Sequence, residues 1–329
     1  MKTAIITGIS GQDGKYLARF LLNKGYKIIG LTRNMQNVNY GDFNFLGIKS
    51  DINFIQADEL SVNFIENLLE THKPSEIYNL ASQSSVSLSF VNELDTVSYN
   101  LLSTIKWLNV IKANYPDIKF FQASSSEIFG NYKEMNLPIS IRSVFKPISP
   151  YGVSKAAAHW TCVNYREMYN TKVSSGILFN HESVFRNKDF VIKKIISTAV
   201  EIKIRGVKKK LFVGDTSIIR DWGYAPLYIE AFWLSLNASK LTDNLICSGN
   251  KMSLEQFISY VFAYLNLVKE DILRRDIIQK RPSEIKIIYG SNTETFNSIG
   301  WKYQLTNKQL VERLVDDEIK YQEWNLSKR

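Results

Sequence analysis

Apolar and β-branched residues open the chain as one short run, Thr3–Thr7 (TAIIT). The run lacks polar alternation, the pattern of a strand buried on both faces. Glycines then punctuate Gly8–Gly14. From Lys15 to Lys24 the apolar positions Tyr16, Leu17, Phe20, Leu21 and Leu22 follow helical spacing, and Gly25 stands where a glycine ends a helix. Lys27–Leu31 predicts a second strand; Asn53–Gln56, Ile77–Leu80, Ile118–Gln122 and Val173–Leu178 predict later ones. Helical spacing at Val62–Thr71, Thr96–Ala113 and Lys155–Tyr169 lies between them. Alternating strands and helices make a parallel sheet covered on both faces. The expected fold is therefore α/β, a Rossmann-type doubly wound parallel sheet with its ligands at the carboxyl ends of the strands.

Beyond about Asn180 the alternation loosens. Lys188–Arg205, Pro226–Asn237, Ser253–Leu265 and Asn307–Asn325 predict helices, separated by loops rich in Gly, Asn, Asp and Ser. The expected organisation is a dinucleotide-binding domain over 1–180, to which later segments return, and a smaller, mostly helical substrate lobe over 181–329.

Composition narrows the function. The 329 residues are 45% hydrophobic, enough for a large core, and no apolar run reaches the ~20 residues of a membrane span. MKTAIITG runs directly into a strand, which reads as no signal peptide. Cys162 and Cys247 have no metal-type spacing, so neither a disulfide framework nor a metal site is expected, and a reducing cytoplasm is. The formal charge of +9 gathers partly at Lys203, Arg205, Lys208, Lys209 and Lys210. With no nucleic-acid-binding motif beside it, that cluster reads as a solvated loop, so neither nucleic acid nor membrane is an expected partner.

Two constellations carry the chemistry. In Gly8-Ile9-Ser10-Gly11-Gln12-Asp13-Gly14 the glycines are spaced by three and three, between a strand and a helix. Such a turn lets the backbone approach a pyrophosphate and aims the helix N-terminus at it. Gly30–Asn34 (GLTRN) contains no acid to hold ribose hydroxyls, whereas Arg33 suits a 2′-phosphate, so NADP is expected over NAD. The second constellation is Tyr151-Gly152-Val153-Ser154-Lys155, whose Tyr and Lys share a helix face after Pro147 and Pro150. A nearby ammonium is expected to lower the phenol's pKa and fit it for acid/base work. Ser124-Ser125-Ser126 ends the strand before it; alone the triplet also reads as a loop or cap. Glu127 adds a carboxylate that alcohol oxidation does not need and elimination of water does.

Together these motifs resemble the extended short-chain dehydrogenase/reductase superfamily and, within it, the GDP-mannose 4,6-dehydratase family. The stretches are TGISGQDG (Thr7–Gly14), YNLA (Tyr78–Ala81), QASSSEIFG (Gln122–Gly130), SPYGVSK (Ser149–Lys155), GILFNHES (Gly176–Ser183), RDWG (Arg220–Gly223), RPSE (Arg281–Glu284) and GWK (Gly300–Lys302). The resemblance implies a cofactor site of Gly8, Ser10, Gly11, Gln12, Asp13, Gly14, Arg33, Asp58, Leu80, Ala81, Ser82, Ser84, Lys155, His181 and Arg186. It implies catalysis by Ser125, Glu127, Tyr151 and Lys155. A GDP-sugar would meet Ser84, Ser126, Asn180, Glu182, Lys194, Arg220, Arg281 and Glu284, and the chain would form a homo-oligomer. The implied reaction passes hydride from C4 to NADP⁺, eliminates water across C5 and C6 with Glu127, and returns the hydride to C6. The chain departs from the family at Val184 and Phe185, where proline and arginine are usual, and at Lys188, Leu227 and Glu59. The loop between Glu127 and Tyr151 is about two residues longer, and Asn34–Asp51 lacks an arginine-rich stretch used across subunits. These changes leave room for a modified sugar such as a GDP-manno-heptose. The competing readings are a nucleotide-sugar 4-epimerase or 4-ketoreductase and, of another kind, a non-catalytic NADP-binding sensor.

Overall fold

The computed structural model describes residues 1–58, 60–275 and 284–328; Glu59, residues 276–283 and Arg329 lie outside the described residues. The strands are β1 (Thr3–Thr7), β2 (Lys27–Thr32), β3 (Ile52–Gln56), β4 (Glu76–Asn79), β5 (Lys119–Ser125), β6 (Val173–Leu178), β7 (Asn180–Glu182), β8 (Leu211–Val213), β9 (Ile219–Tyr224), β10 (Asn244–Ile246), β11 (Lys251–Ser253), β12 (Leu273–Arg275) and β13 (Ile287–Ile288). The helices are α1 (Gln12–Asn23), α2 (Tyr40–Phe45), α3 (Val62–His72), α4 (Val86–Ser89), α5 (Glu93–Val97), α6 (Ser103–Asn114), α7 (Pro150–Tyr169), α8 (Val191–Arg205), α9 (Ala225–Asn237), α10 (Leu254–Tyr264), α11 (Lys269–Ile272), α12 (Thr293–Ile299) and α13 (Asn307–Ser327).

Seven parallel strands run in the order β10-β6-β5-β4-β1-β2-β3. This is the doubly wound sheet that the alternation predicts. One face packs Tyr16, Leu17 and Leu21 of α1 with Tyr228 and Phe232 of α9. The other packs Ile65 of α3, Trp107 and Ile111 of α6 and Cys162 of α7. The chain leaves the sheet after β6, runs through α8 and β9, and re-enters it as β10 at the β6 edge. The C-terminal lobe has its own core, built on α8, α10 and α13. It also holds strands that the sequence reading did not find: β11-β9-β13 with β7 on β9, and β12 beside β8.

Local boundaries differ in instructive ways. α1 begins at Gln12, so Gln12–Gly14 belongs to the helix and not to the turn. The segment expected as one helix over Thr96–Ala113 is α5, a π-helical turn at Ser98–Leu102, and α6. α7 starts five residues earlier than its apolar pattern, at Pro150: Ser149 caps it by accepting from the Gly152 amide at 3.0 Å. No helix among the described residues is long and apolar enough to cross a membrane.

Candidate active site

The strand order reverses between β1 and β4, and the carboxyl ends there open a crevice. Gly8 follows β1 with φ +71, a conformation that favours glycine, and a Cβ on it would lie 2.9 Å from the Ala81 nitrogen. Gly14 has no room for a Cβ either: one would stand 2.5 Å from the Gly8 carbonyl oxygen, so α1 sits directly on the turn. The resulting cavity is about 620 Å³. Gly8, Ser10, Gly11, Gln12, Asp13, Gly14, Arg33, Asp58, Leu80, Ala81, Ser82, Ser84 and Arg186 all line it, together with Thr7, Asn34, Asn37 and Tyr99, which the sequence reading had not placed in the site.

Lys155 and His181 stand outside that lining. His181 accompanies the turn from behind: its Nε2 is 2.9 Å from Asp13 Oδ2 and its Nδ1 is 2.7 Å from the Phe179 carbonyl. Burial pushes the imidazole down, but Asp13 outweighs it and the pKa is raised. Burial likewise pushes Asp13 up, and His181 holds the carboxyl below its usual range. Gln12 donates to the His181 carbonyl at 3.0 Å and accepts from Ser183 at 2.8 Å. These bonds pin the FNHES segment to the first turn of α1. Glu182 is buried, with Arg186 Nε at 3.5 Å, and burial raises its pKa.

The catalytic candidates meet at the end of β5. Ser125 accepts from the Glu127 amide at 3.3 Å. It also hydrogen-bonds to Tyr151, and Glu127 lies close enough to Tyr151 for its charge to act on the phenol. A Cβ on Gly152 would come within 2.8 Å of the Glu127 carbonyl, so the first turn of α7 rests on the glutamate's backbone. Lys155 donates to the Ala123 carbonyl at 2.9 Å, with its ammonium 5.9 Å from the Tyr151 ring centroid. The expected lowering of the phenol's pKa is corrected here. Burial drives Tyr151 up to about 12, and Glu127 adds to the rise, which Ser125 opposes. Burial also brings Lys155 down to about 8.

Beneath these groups runs a buried polar column that the sequence reading missed. Thr7 donates to Asn79 at 2.8 Å, Asn79 donates to Gln122 at 2.8 Å, and Asn100 donates to Ser154 at 2.9 Å. Its signal was available: Thr7, Asn79 and Gln122 are polar residues that follow apolar neighbours in buried strands. Ser126 is buried one residue beyond Ser125.

The sugar-side candidates are more scattered. Asn180 and Glu182 lie on β7, which pairs with β9. Arg220, on β9, is buried and donates to the Ile219 carbonyl at 3.0 Å. Its neighbour Asp221 accepts the amides of Ser248 and Gly249 at 2.8 and 2.9 Å, and burial raises its carboxyl to about 6. Lys194 donates to the Phe212 carbonyl at 2.8 Å on the lobe's own strand β8. Glu284 is half-buried at the edge of the described residues, and Arg281 lies outside them.

Two of the departures prove to be linked. Phe185 packs among Tyr16, Phe45 and Tyr321. The segment from Asn34 to Asp51 contains α2, whose Asp42 makes a buried 2.7 Å ion pair with Lys15 and accepts from Tyr321 at 2.5 Å. Where an arginine-rich stretch is missing, α2 is fastened to the chain's own α1 and α13.

Residues 5–314 match the family described as GDP-mannose 4,6 dehydratase. GDP-mannose 4,6 dehydratase 2 of Arabidopsis thaliana is 38% identical over 330 residues, covering 97% of this chain and 87% of the relative. GDP-mannose 4,6 dehydratase of Homo sapiens is 33% identical over 347 residues, covering 98% and 92%. Among solved structures, dTDP-glucose 4,6-dehydratase from Bacillus anthracis in complex with NAD superimposes with a TM-score of 0.85 over 98% of both chains at 21% identity, a likeness of fold. With its motifs in order along nearly the whole length, the chain belongs to the GDP-mannose 4,6-dehydratase family.

Proposed function

We propose that the chain is a nucleotide-sugar 4,6-dehydratase that uses NADP and converts GDP-mannose, or a related GDP-sugar, to the 4-keto-6-deoxy sugar and water. The observation that carries this reading is one carboxylate, Glu127, seated beside Ser125 and Tyr151. Chemistry at C4 alone needs a single acid/base. Loss of water needs a second group, to take the proton beside the ketone and to protonate the departing hydroxyl. Family membership supports the same choice.

The crevice fits a dinucleotide: it has a turn whose Gly8 and Gly14 exclude a Cβ, a helix N-terminus behind it, and a cavity of about 620 Å³. When bound, a nicotinamide cofactor supplies a two-electron oxidation at C4 and the matching reduction at C6, leaving the reaction redox-neutral. Tyr151 takes the C4 hydroxyl proton, with Ser125 hydrogen-bonded to the phenol. With the phenol held at about 12, it is protonated at rest and needs added positive charge nearby before it acts as a base. Glu127 then removes the C5 proton and delivers one to the C6 oxygen. Arg33 on the cavity wall, with no acid from Gly30 to Asn34, supports NADP over NAD. A homo-oligomer is also proposed. Leu94 on α5 and Val153 and Trp160 on α7 are exposed apolar residues that suit a partner face.

Mass spectrometry of GDP-mannose incubated with protein and NADP⁺ tests the reading through loss of water without net consumption of cofactor. Glu127→Gln is expected to bind both ligands unchanged and to lose elimination by roughly 10²–10⁴-fold. An unchanged rate would remove Glu127 from the mechanism.

A further inference from the structure

Helix periodicity breaks at one place beside the cavity. Ser98–Leu102 is wound as a π-helical turn, a form that costs hydrogen-bond geometry and tends to be kept at functional sites. Two neighbours within this turn have different tasks. Asn100 turns into the core, where it donates to Ser154 and accepts from the Gln83 amide at 2.9 Å. Tyr99 stays at the cavity wall, and the Arg33 guanidinium lies 5.0 Å from its ring centroid.

Arg33 is an exposed residue at the end of β2, and a long arginine side chain that is left loose must be ordered before it can grip an anion. Stacking on an aromatic ring uses the face of the guanidinium and leaves its N–H edge directed outward. That edge is the part that pairs with a phosphate. We propose that Tyr99 is a specificity-determining positioning residue for the cofactor: its ring holds Arg33 in place to meet the ribose 2′-phosphate. This rests on the reading of the cofactor as NADP. The π-helical turn holds both residues, Tyr99 at the wall and Asn100 in the core.

Binding of NADP⁺ and of NAD⁺ to the full chain, measured by calorimetry, tests the proposal with Tyr99→Phe, Tyr99→Leu, Arg33→Met and the Arg33→Met/Tyr99→Leu double variant. Wild type is expected to prefer NADP⁺, and Arg33→Met to lose that preference. Tyr99→Leu should weaken NADP⁺ by about fivefold, the size of one cation–π contact. It should leave NAD⁺ unchanged, which also shows that the variant folds. Tyr99→Phe should behave as wild type, and Tyr99→Leu should add nothing once Arg33 is gone. Equal weakening of both cofactors by Tyr99→Leu would place the ring against the adenine instead and overturn the proposal, as would an effect that persists without Arg33. A wild type indifferent to the 2′-phosphate would overturn the cofactor reading and this inference with it, a result distinct from either of those.

Discussion

Replacing Gly8 by alanine should cost more than its backbone angle alone requires, and Gly25 provides the internal standard. Both glycines have positive φ, +71 and +78. An L-residue held in the left-handed region loses about 1–2 kcal/mol in either position. They differ in surroundings: a Cβ at Gly25 meets nothing within 4 Å, whereas one at Gly8 meets Ala81 N at 2.9 Å, Ala81 Cα at 3.0 Å and Leu80 C at 3.1 Å. All three are backbone atoms, and the backbone there is held, since Leu80 N and Ala81 N both donate to Thr7 Oγ1, at 3.1 and 3.0 Å. Overpacking against a wall that cannot yield costs about 1–3 kcal/mol. Gly8→Ala should therefore be less stable than Gly25→Ala by about 1–3 kcal/mol. At about 2 cal/mol/K of unfolding entropy per residue, this lowers its melting temperature by roughly 1.5–4.5 °C relative to Gly25→Ala. Thermal unfolding followed by circular dichroism reads the difference, and a parallel cofactor titration should show weaker binding for Gly8→Ala alone. Equal melting temperatures for the two variants would refute the argument that close backbone approach, and not φ, makes Gly8 necessary.

Asp13→Asn removes the partner of His181. The raised imidazole pKa stabilises the fold fully below the ordinary value of 6.5 and ceases to do so as pH rises through the folded value. The lowered Asp13 pKa stabilises above 3.8 and is lost as pH falls through its folded value. Urea unfolding should accordingly show the largest deficit of Asp13→Asn at about pH 5–6 and a smaller one at about pH 9; a deficit that grows with pH would be the wrong sign. Lys155 is lowered to about 8 from 10.5, so its buried charge destabilises the fold below pH 8, and the penalty fades as pH rises toward 10.5. Lys155→Met should lose activity yet match or exceed wild-type stability near neutral pH, with the advantage shrinking above pH 8; urea midpoints across that range decide it. Tyr151→Phe should remove a phenol that titrates near 12, visible as a missing step in an ultraviolet titration against wild type.

The sheet was legible because short runs rich in apolar and β-branched residues alternate with helical spacing, and Val173–Leu178 is found with both its ends correct even though Ser174, Ser175 and Gly176 interrupt it. The glycine turn and the Tyr-x-x-x-Lys were legible because each demands particular residue types at fixed spacing. The π-helical turn was not, since the apolar positions on either side of it still satisfy a helical period within the tolerance of a short window. The short strands β7, β8 and β11–β13 were hidden for a related reason: two or three residues carry no period at all. Position along the chain brought Ser125, Glu127 and Tyr151 together, but the state of the phenol could not be read there. Burial and the neighbouring carboxylate set it, and neither is a property of the motif. Phe185 and the segment holding Asp42 stood out only as departures; the contact of both residues with Tyr321 depends on α13, nearly three hundred residues from α2.

The late return of β10 to the sheet bears on how the protein is made. A nascent chain that has emerged only as far as Glu182 can assemble six of the seven strands, and β6 is then an outer strand with its backbone amides and carbonyls bare along one side. Val173–Leu178 is buried at every position in the finished protein, so this rim is unpaired along a stretch that the finished fold shields from water. Synthesis at 5–20 residues per second leaves it uncovered for several seconds until residues 244–246 appear. During that interval the half-made sheet presents an open edge of the kind that pairs with another chain.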